Sequence, residues 1–159
     1  MHLPLTAAVG VALAAAVVTA SQANEPTERV ITIVSVEQQM DRHIDRTAFP
    51  DTLERHPDLM AGGGYLLEPP NDDGEWHARA YLWQPATVVV NQDDVVTLEF
   101  FGINGDEHPT VLEGYDLEFV VRRGDLTRIT FTADRPGIFP FVCGTHQPSM
   151  TGQLVVLSR

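Results

Sequence analysis

From Ala78 onward the chain is a series of short β-forming segments, and this constrains the fold more than any other feature. The segments are rich in Val, Ile, Phe and Thr, which favour strands. They cover residues 78–83, 87–90, 95–101, 117–121, 128–133, 137–143 and 153–158. Turn-forming runs such as Asn91-Gln92-Asp93-Asp94 and Arg123-Gly124-Asp125 separate them. No stretch of helical periodicity interrupts the series, so the fold class is predicted to be all-β.

The pattern within single segments indicates how these strands pack. In Arg128-Ile129-Thr130-Phe131-Thr132 the apolar Ile129 and Phe131 alternate with polar residues. This alternation is typical of a strand with one face on a core and the other in water. Many short strands of this kind predict a Greek-key β-sandwich or barrel.

Residues 24–77 are expected to form an N-terminal strand followed by an irregular excursion. The segment ERVITIVSVE (28–37) predicts one more strand, which could pair with the sandwich as an edge. Residues 38–77 combine two short helical turns, a Gly62-Gly63-Gly64 hinge and a Pro-Asn-Asp-Asp-Gly turn. They contain too few apolar residues for a core of their own. Residues 24–159 are therefore predicted to be a single domain, with residues 78–159 as its ligand-bearing core.

The N-terminus predicts an export signal. Residues 3–20 are almost unbroken Ala, Val and Leu without a charge, and Ser21-Gln22-Ala23 then offers a cleavage site with small residues. A retained membrane anchor is the alternative, but this apolar run is at the short end of the ~20 residues that a spanning helix needs. We therefore interpret residues 1–23 as a signal peptide, and expect a periplasmic or otherwise exported protein without stable membrane insertion.

The charge of the chain bears on its partners. The formal net charge is −12, and all ten basic residues are arginine. Such a surface repels nucleic acid and anionic lipid and favours a basic partner, for instance a cationic redox protein. The alternative is that the charge serves solubility alone.

The segment FVCGTHQPSM (141–150) contains the only cysteine of the chain together with a histidine and a methionine. Cys143 closes an apolar predicted strand, and His146 and Met150 lie on the loop that follows. A lone cysteine can be a buried free thiol that packs as a small apolar residue. A thiolate, a thioether and an imidazole on one short loop are instead donors suited to copper. The segment therefore predicts a copper site held between two strands.

A trigonal site of two histidines and one cysteine with a long axial methionine needs a second histidine. His108 is the candidate, since it follows a predicted strand end in FFGINGDEHPTV (101–111). The remaining histidines of the excursion, His43, His56 and His77, have no paired ligand pattern. They are expected to be surface residues without a metal.

Residues 85–159 resemble a cupredoxin. The resemblance rests on PATVVVNQDDVVTLEF, on GDEH, and on the Arg-Pro-Gly turn that precedes the Phe-rich strand and the Cys-x₂-His-x₃-Met loop. The segment is similar in particular to the copper domains of cytochrome oxidase subunit II and nitrous oxide reductase, and to nitrosocyanin. The resemblance implies a single copper ion, cycling between Cu(I) and Cu(II), with His108, Cys143, His146 and Met150 as its ligands.

Three departures from these relatives limit what the resemblance implies. Dinuclear copper domains carry two cysteines in this loop, and the single Cys143 excludes a dinuclear centre. Nitrosocyanin has a glutamate where His108 falls and a second loop histidine near Met150, so its red, more open site is not expected here. The neighbouring Glu107 is left as an alternative ligand. Many blue-copper proteins follow the first histidine with an asparagine that ties two loops together. This chain has Pro109 there, so the link must be made otherwise or be absent.

The resemblance and its ligand set imply one-electron transfer, because both oxidation states of copper share nearly one ligand geometry and little has to rearrange when an electron arrives. The chain shows no convincing Ser/His/Asp set, phosphate loop or convergent pair of carboxylates that would suggest other catalysis. The expected partner is a redox protein, for instance a basic cytochrome. Two alternatives remain. A copper-trafficking or storage protein would use the same soft ligands, and a nitrosocyanin-like copper enzyme would need an open coordination position.

Overall fold

A computed structural model describes residues 25–50, 57–60 and 62–159. The predicted signal peptide, residues 1–23, lies outside the described residues, and so does His56. Within the described part of the chain, no helix is both long enough and apolar enough to cross a membrane.

Ten strands and one four-residue helix make up the described chain. They are β1 (Glu28–His43), α1 (Pro57–Met60), β2 (Tyr65–Glu68), β3 (Glu75–Gln84), β4 (Thr87–Asn91), β5 (Val95–Gly102), β6 (Glu107–Leu112), β7 (Leu117–Arg122), β8 (Leu126–Thr132), β9 (Gly137–Cys143) and β10 (Thr151–Leu157). Each of the eight segments predicted as strands lies on one of these strands and extends at most one residue beyond it, although several of the strands are longer than predicted. The prediction of an all-β sandwich is confirmed.

The strands form two five-stranded sheets, which enclose one hydrophobic core. The order in the first sheet is β2-β3-β1-β5-β8, and the order in the second is β4-β10-β9-β6-β7. Alternate residues point inward, as in β5, where Val96, Leu98 and Phe100 are fully buried. Trp83 from β3 and Phe141 from β9 pack against Phe100 from opposite sheets. These aromatic contacts join the two sheets next to the predicted ligands.

Strand β1 lies at the centre of the first sheet, so its predicted position at an edge is wrong. It pairs in parallel with β5 and antiparallel with β3, and it continues to His43. Its inward residues Ile33 and Ser35 are completely buried. The region after β1 is also less irregular than expected, because β2 and the first residues of β3 extend the sheet. A strand sequence with one apolar face does not distinguish an edge from a centre, since both bury one face.

Strand β6, which carries His108, was not predicted as a strand. Its burial alternates strictly, with His108, Thr110 and Leu112 inside and Glu107, Pro109 and Val111 outside. Two of the three inward residues are polar and a proline lies between them, so the hydrophobic alternation that marks a strand is missing. β6 pairs with both β7 and β9, and this places His108 in the same sheet as Cys143.

Candidate metal centre

Three of the four predicted ligands converge at one end of the sandwich. His108 comes from β6, Cys143 is the last residue of β9, and His146 lies on the loop between β9 and β10. The Nδ1 atoms of the two histidines are 3.1 Å apart. The Cys143 Sγ atom lies 3.8 Å from Nδ1 of His108 and 3.5 Å from Nδ1 of His146. In the described chain this is the one group of at least three His, Cys, Asp or Glu side chains close enough to hold a metal ion.

The fourth predicted ligand, Met150, is completely buried, as are His108 and Cys143. Its backbone N–H donates to the His146 carbonyl at 2.9 Å, and its carbonyl accepts from the Cys143 N–H at 3.0 Å. The His146 N–H in turn donates to the Cys143 carbonyl at 3.3 Å. These bonds fix the backbone of Cys143, His146 and Met150 relative to one another. Met150 as the axial ligand stays a prediction.

The imidazole of His108 is oriented by a hydrogen bond on the side away from the cluster. Its Nε2–H donates to the backbone carbonyl of Asn104 at 2.6 Å. A proton on Nε2 leaves Nδ1 free to act as the donor atom toward a metal. Gly105 has a φ of +81°, and a Cβ there would lie 2.5 Å from Cε1 of His108. Only glycine fits this close approach, so the turn before β6 is shaped around the ring.

The link between the two ligand-bearing segments is made by the backbone. The carbonyl of Pro109 accepts a hydrogen bond from the Gly144 N–H at 2.8 Å. Gly144 directly follows Cys143, and Thr110 of β6 is the register partner of Cys143. The connection that an asparagine side chain provides in many relatives is therefore replaced here by main-chain atoms of β6.

The residues Gly62, Gly63 and Gly64, which were predicted to form a hinge, pack against the ligand loop instead. Gly63 forms a parallel bridge with Gln147, and the Gly64 N–H donates to the Gln147 carbonyl at 3.2 Å. The hydroxyl of Ser149 donates to the Gly64 carbonyl at 2.7 Å. A Cβ on Gly64 would lie 2.4 Å from the His146 carbonyl oxygen. This segment lies outside any stretch that sequence reasoning assigned to the site, yet it contacts the loop that carries His146.

Two aromatic residues of β3, Tyr81 and Trp83, contact the two histidines. The ring of Tyr81 stacks on His146 with 4.0 Å between ring centroids, and Trp83 meets His108 edge to face at 5.8 Å. Tyr81 and Trp83 lie in a predicted strand, but nothing in the sequence marked them as part of the site. His146 is half-buried, and it is the only one of the four predicted ligands that keeps contact with solvent.

Burial controls the protonation of the three donors. It lowers the pKa of His108, and burial followed by the neighbouring His108 lowers the pKa of His146. Both imidazoles are therefore neutral at pH 7 and able to donate a lone pair. Burial raises the pKa of the Cys143 thiol, although backbone N–H groups of Thr145 and His146 act in the opposite direction. Metal binding must displace the thiol proton, so the affinity is expected to rise with pH.

The carboxylates next to His108 do not join this cluster. Glu107 points outward, as the alternation of β6 requires, and pairs with the exposed Arg122 at 3.6 Å. Asp106 pairs with Arg123 on the same surface. His43 and His77 lie at the surface with partly exposed side chains, and they are hydrogen-bonded to the backbone of Asp73 and to Asp41, respectively. The interpretation of these two histidines as surface residues is confirmed.

Two neutral imidazole nitrogens and one cysteine sulfur, converging in a buried pocket, form a donor set that suits copper and does not suit Mg²⁺, Ca²⁺ or Mn²⁺. Residues 77–156, half of the chain, match the family model described as the cupredoxin-like domain. The chain therefore belongs to the cupredoxin-like family. Family and donor set together bear out the prediction of copper as the cofactor.

The chain is similar in fold to copper nitrite reductase from Nitrosomonas europaea, with 17% identity and a TM-score of 0.51 over 83% of this chain and 42% of the enzyme. It is similarly related to the multicopper oxidase mgLAC, with 14% identity and a TM-score of 0.51 over 83% of this chain and 39% of the oxidase. The chain thus spans about two fifths of the length of either enzyme. No curated protein sequence matches it. At these identities the likeness shows the fold alone.

The contact between Gly64 and the ligand loop leads to a testable prediction. Replacing Gly64 with alanine places a methyl group 2.4 Å from the His146 carbonyl and from the Ser149 hydroxyl. The loop must move, and we expect copper affinity to fall about 10- to 100-fold, as for other changes that disturb the orientation of a ligand. Competition titration with a Cu(I) chelator measures this loss.

The matched control is Gly144→Ala, on the ligand loop itself, where a Cβ meets only the Pro109 carbonyl at 3.8 Å. This variant is expected to keep the affinity of the parent protein. Equal affinities for the two variants would show that the Gly62–Gly64 segment does not hold the loop.

Proposed function

We propose that this protein is an exported, mononuclear copper protein that carries out one-electron transfer. His108, Cys143 and His146 would hold the copper, and Met150 would supply a fourth, weaker donor. The observation that supports this proposal most strongly is the convergence of three donor side chains, already fixed by hydrogen bonds, in a pocket where only His146 is partly exposed. The predicted signal peptide supports export to the periplasm.

Preorganisation is what electron transfer requires of such a site. Bound copper would supply a metal that accepts and releases one electron while it stays coordinated. The chain contributes the rigidity: Asn104 holds the ring of His108, and the Gly62–Gly64 segment holds the loop of His146. Because the ligands are fixed from outside the cluster, little has to rearrange when the charge of the metal changes. Ligands that are buried and rigidly held in this way are less suited to the transfer of copper to another protein.

His146 is the proposed point at which electrons enter and leave. It is the ligand nearest solvent, and the half-buried Tyr81 ring stacked on it extends the same surface. The net charge of −12 would attract a basic redox protein, such as a cationic cytochrome, toward the molecule. The attraction acts over a Debye length of about 10 Å at 0.1 M salt, so it should weaken as salt is added.

Substitution of Met150 tests the axial position. Met150→Leu removes a weak donor and is expected to raise the reduction potential, because the loss of this donor destabilises bound Cu(II) more than bound Cu(I). Met150→Gln supplies a harder oxygen donor and should lower it. Protein-film voltammetry on the copper-loaded variants measures both shifts. An unchanged potential in both variants would mean that Met150 is a core residue only.

Stopped-flow mixing of the reduced protein with an oxidised cytochrome c tests the function. One electron should pass from Cu(I) to the haem iron, at a bimolecular rate that falls as salt rises from about 0.1 M to 1 M. A metal assay of the separated proteins should find all the copper on this chain. Copper on an added apo-acceptor protein would instead indicate trafficking, and electron exchange no faster than background at any salt would contradict the proposal.

A further inference from the structure

Two residues of β1, Ser35 and Glu37, contact the segment that holds His108. Both lie before residue 77, where the match to the cupredoxin-like family begins. They are two positions apart, so they share one face of the strand. The Ser35 hydroxyl is completely buried, and the Glu37 side chain is 9% exposed.

Both side chains bind the segment Ile103–Asn104. The Ser35 hydroxyl accepts a hydrogen bond from the Ile103 N–H at 3.1 Å, and lies 3.3 Å from the Asn104 carbonyl, to which it donates. The Asn104 side-chain amide donates to the Glu37 carboxylate at 3.1 Å. Asn104 is thus held through its backbone, through the preceding N–H and through its side chain, all by one strand.

The same Asn104 carbonyl accepts the hydrogen bond from Nε2–H of His108 at 2.6 Å. Because this carbonyl is fixed in place, it sets the tautomer and the ring orientation of the imidazole. Hydrogen-bond partners of this kind influence the affinity and the reduction potential of the metal that the ring binds. Glu37 is therefore linked to a ligand through one intervening residue.

Glu37 also brings a negative charge close to the site. Burial alone would raise the pKa of Glu37, but hydrogen bonds from Asn104 and Gln39, followed by the nearby Arg79, outweigh it and lower the pKa. Arg79 is the one cation paired with this carboxylate among the described residues, at 3.5 Å and 40% exposed, so water screens part of its charge. Negative charge near a copper ion stabilises Cu(II) relative to Cu(I) by Coulomb attraction.

We propose that Ser35 and Glu37 are positioning residues for His108, acting through Asn104, and that the Glu37 carboxylate lowers the reduction potential of the bound copper. Strand β1 is then part of the metal centre as well as part of the sheet. This inference rests on the proposed copper site, and the experiment below separates the two.

The test compares Glu37→Gln, Glu37→Ala and the control Glu99→Gln. Glu99 forms a carboxylate–arginine pair with Arg128 at 2.7 Å, but it lies on the outer face of the same sheet, away from the ligands. Glu37→Gln keeps an acceptor for the Asn104 amide and removes the charge, so it is expected to raise the potential while the absorption spectrum is kept. Glu37→Ala also removes the acceptor, and copper affinity should fall about 10- to 100-fold. Glu99→Gln should match the parent protein in both measurements.

A second readout uses the metal-free protein. The Nε2–H proton of His108 should exchange slowly with solvent in the parent protein and in Glu99→Gln, and clearly faster in Glu37→Ala. Thermal unfolding identifies any variant that does not fold. If Glu37→Ala does not fold, Ser35→Ala replaces it in the exchange measurement, because this variant removes the hydrogen bonds from Ser35 to Ile103 and Asn104. Potentials and exchange rates equal in all variants would overturn the inference while leaving the copper site intact. Absence of copper binding in the parent protein would instead overturn the proposed function.

Discussion

Replacing Cys143 with serine is expected to abolish the intense charge-transfer absorption of the copper-loaded protein. A thiolate is a soft, strongly interacting donor, whereas a serine hydroxyl stays protonated at neutral pH and donates weakly. Cys143 is completely buried beside the two histidines predicted as ligands, and no second cysteine exists in the chain to replace it. Absorption during copper titration measures the loss.

Serine is close to cysteine in size, so the core around residue 143 should keep its packing. Tryptophan fluorescence of the metal-free variant checks this, since the buried Trp83 lies against both His108 and Phe141 in that core. A variant that folds and still shows the full colour would mean that the metal is bound elsewhere.

Asp94 is the second residue whose replacement should have a large effect, this time on stability. Its carboxylate is completely buried in the turn before β5. It accepts hydrogen bonds from the backbone N–H groups of Thr27 and Asn91 at 2.9 and 3.0 Å, and from the guanidinium of Arg29 at 3.2 Å. Arg159, at the C-terminal end, also pairs with it. One side chain thus joins the start of β1, a turn and the end of the chain.

The pKa of Asp94 shows that these contacts favour the charged form. Burial alone would raise the pKa, but the hydrogen bonds from Thr27, Asn91 and Arg29 outweigh it and lower the pKa from 3.8 to about 2. Because the pKa of Asp94 is lower in the folded state than in the unfolded state, the charged carboxylate stabilises the fold at every pH above the unfolded-state pKa. This stabilisation is lost as the pH falls from about 4 toward 2. The shift corresponds to about 2 kcal/mol of stability at neutral pH.

Asp94→Asn is expected to lower the free energy of unfolding by about 3 kcal/mol at pH 7, because it leaves two arginines facing a neutral group. Urea denaturation measures the difference, and the variant should also lose less stability than the parent between pH 4 and pH 2. The control is Asp93→Asn, one residue earlier, which is exposed and has a φ of 67° that asparagine tolerates. If both variants were equally stable, Asp94 would not be the residue that joins these segments.

The fold was largely predictable from the sequence because its strands follow hydrophobic alternation. Strand β5 shows this directly, since its buried residues are all apolar. β6 was missed for the opposite reason: two of its inward positions hold polar residues, the predicted ligand His108 and Thr110, whose hydroxyl donates to the His108 carbonyl. The location of β1 could not be predicted, because one apolar face fits either an edge or a centre.

The donor residues were also predictable, but the groups that hold them were not. His108, Cys143 and His146 come together as expected, since their residue types and spacing carry the signal. The contact between Glu37 and Asn104 joins residues 67 positions apart, and no local pattern marks either partner. Gly62–Gly64 did carry a signal, but three glycines predict a hinge and a close backbone approach equally well.

The absorption and electron-paramagnetic-resonance spectrum of the protein loaded with one equivalent of Cu(II) tests the central claim most directly. A copper ion bound by Cys143 and two histidines should give intense visible absorption from thiolate-to-copper charge transfer, together with a narrowed copper hyperfine splitting that reflects delocalisation onto sulfur. Both features should disappear on one-electron reduction and return on oxidation, with the copper retained. A weakly coloured sample with the wide hyperfine splitting of a tetragonal nitrogen and oxygen site would contradict the account.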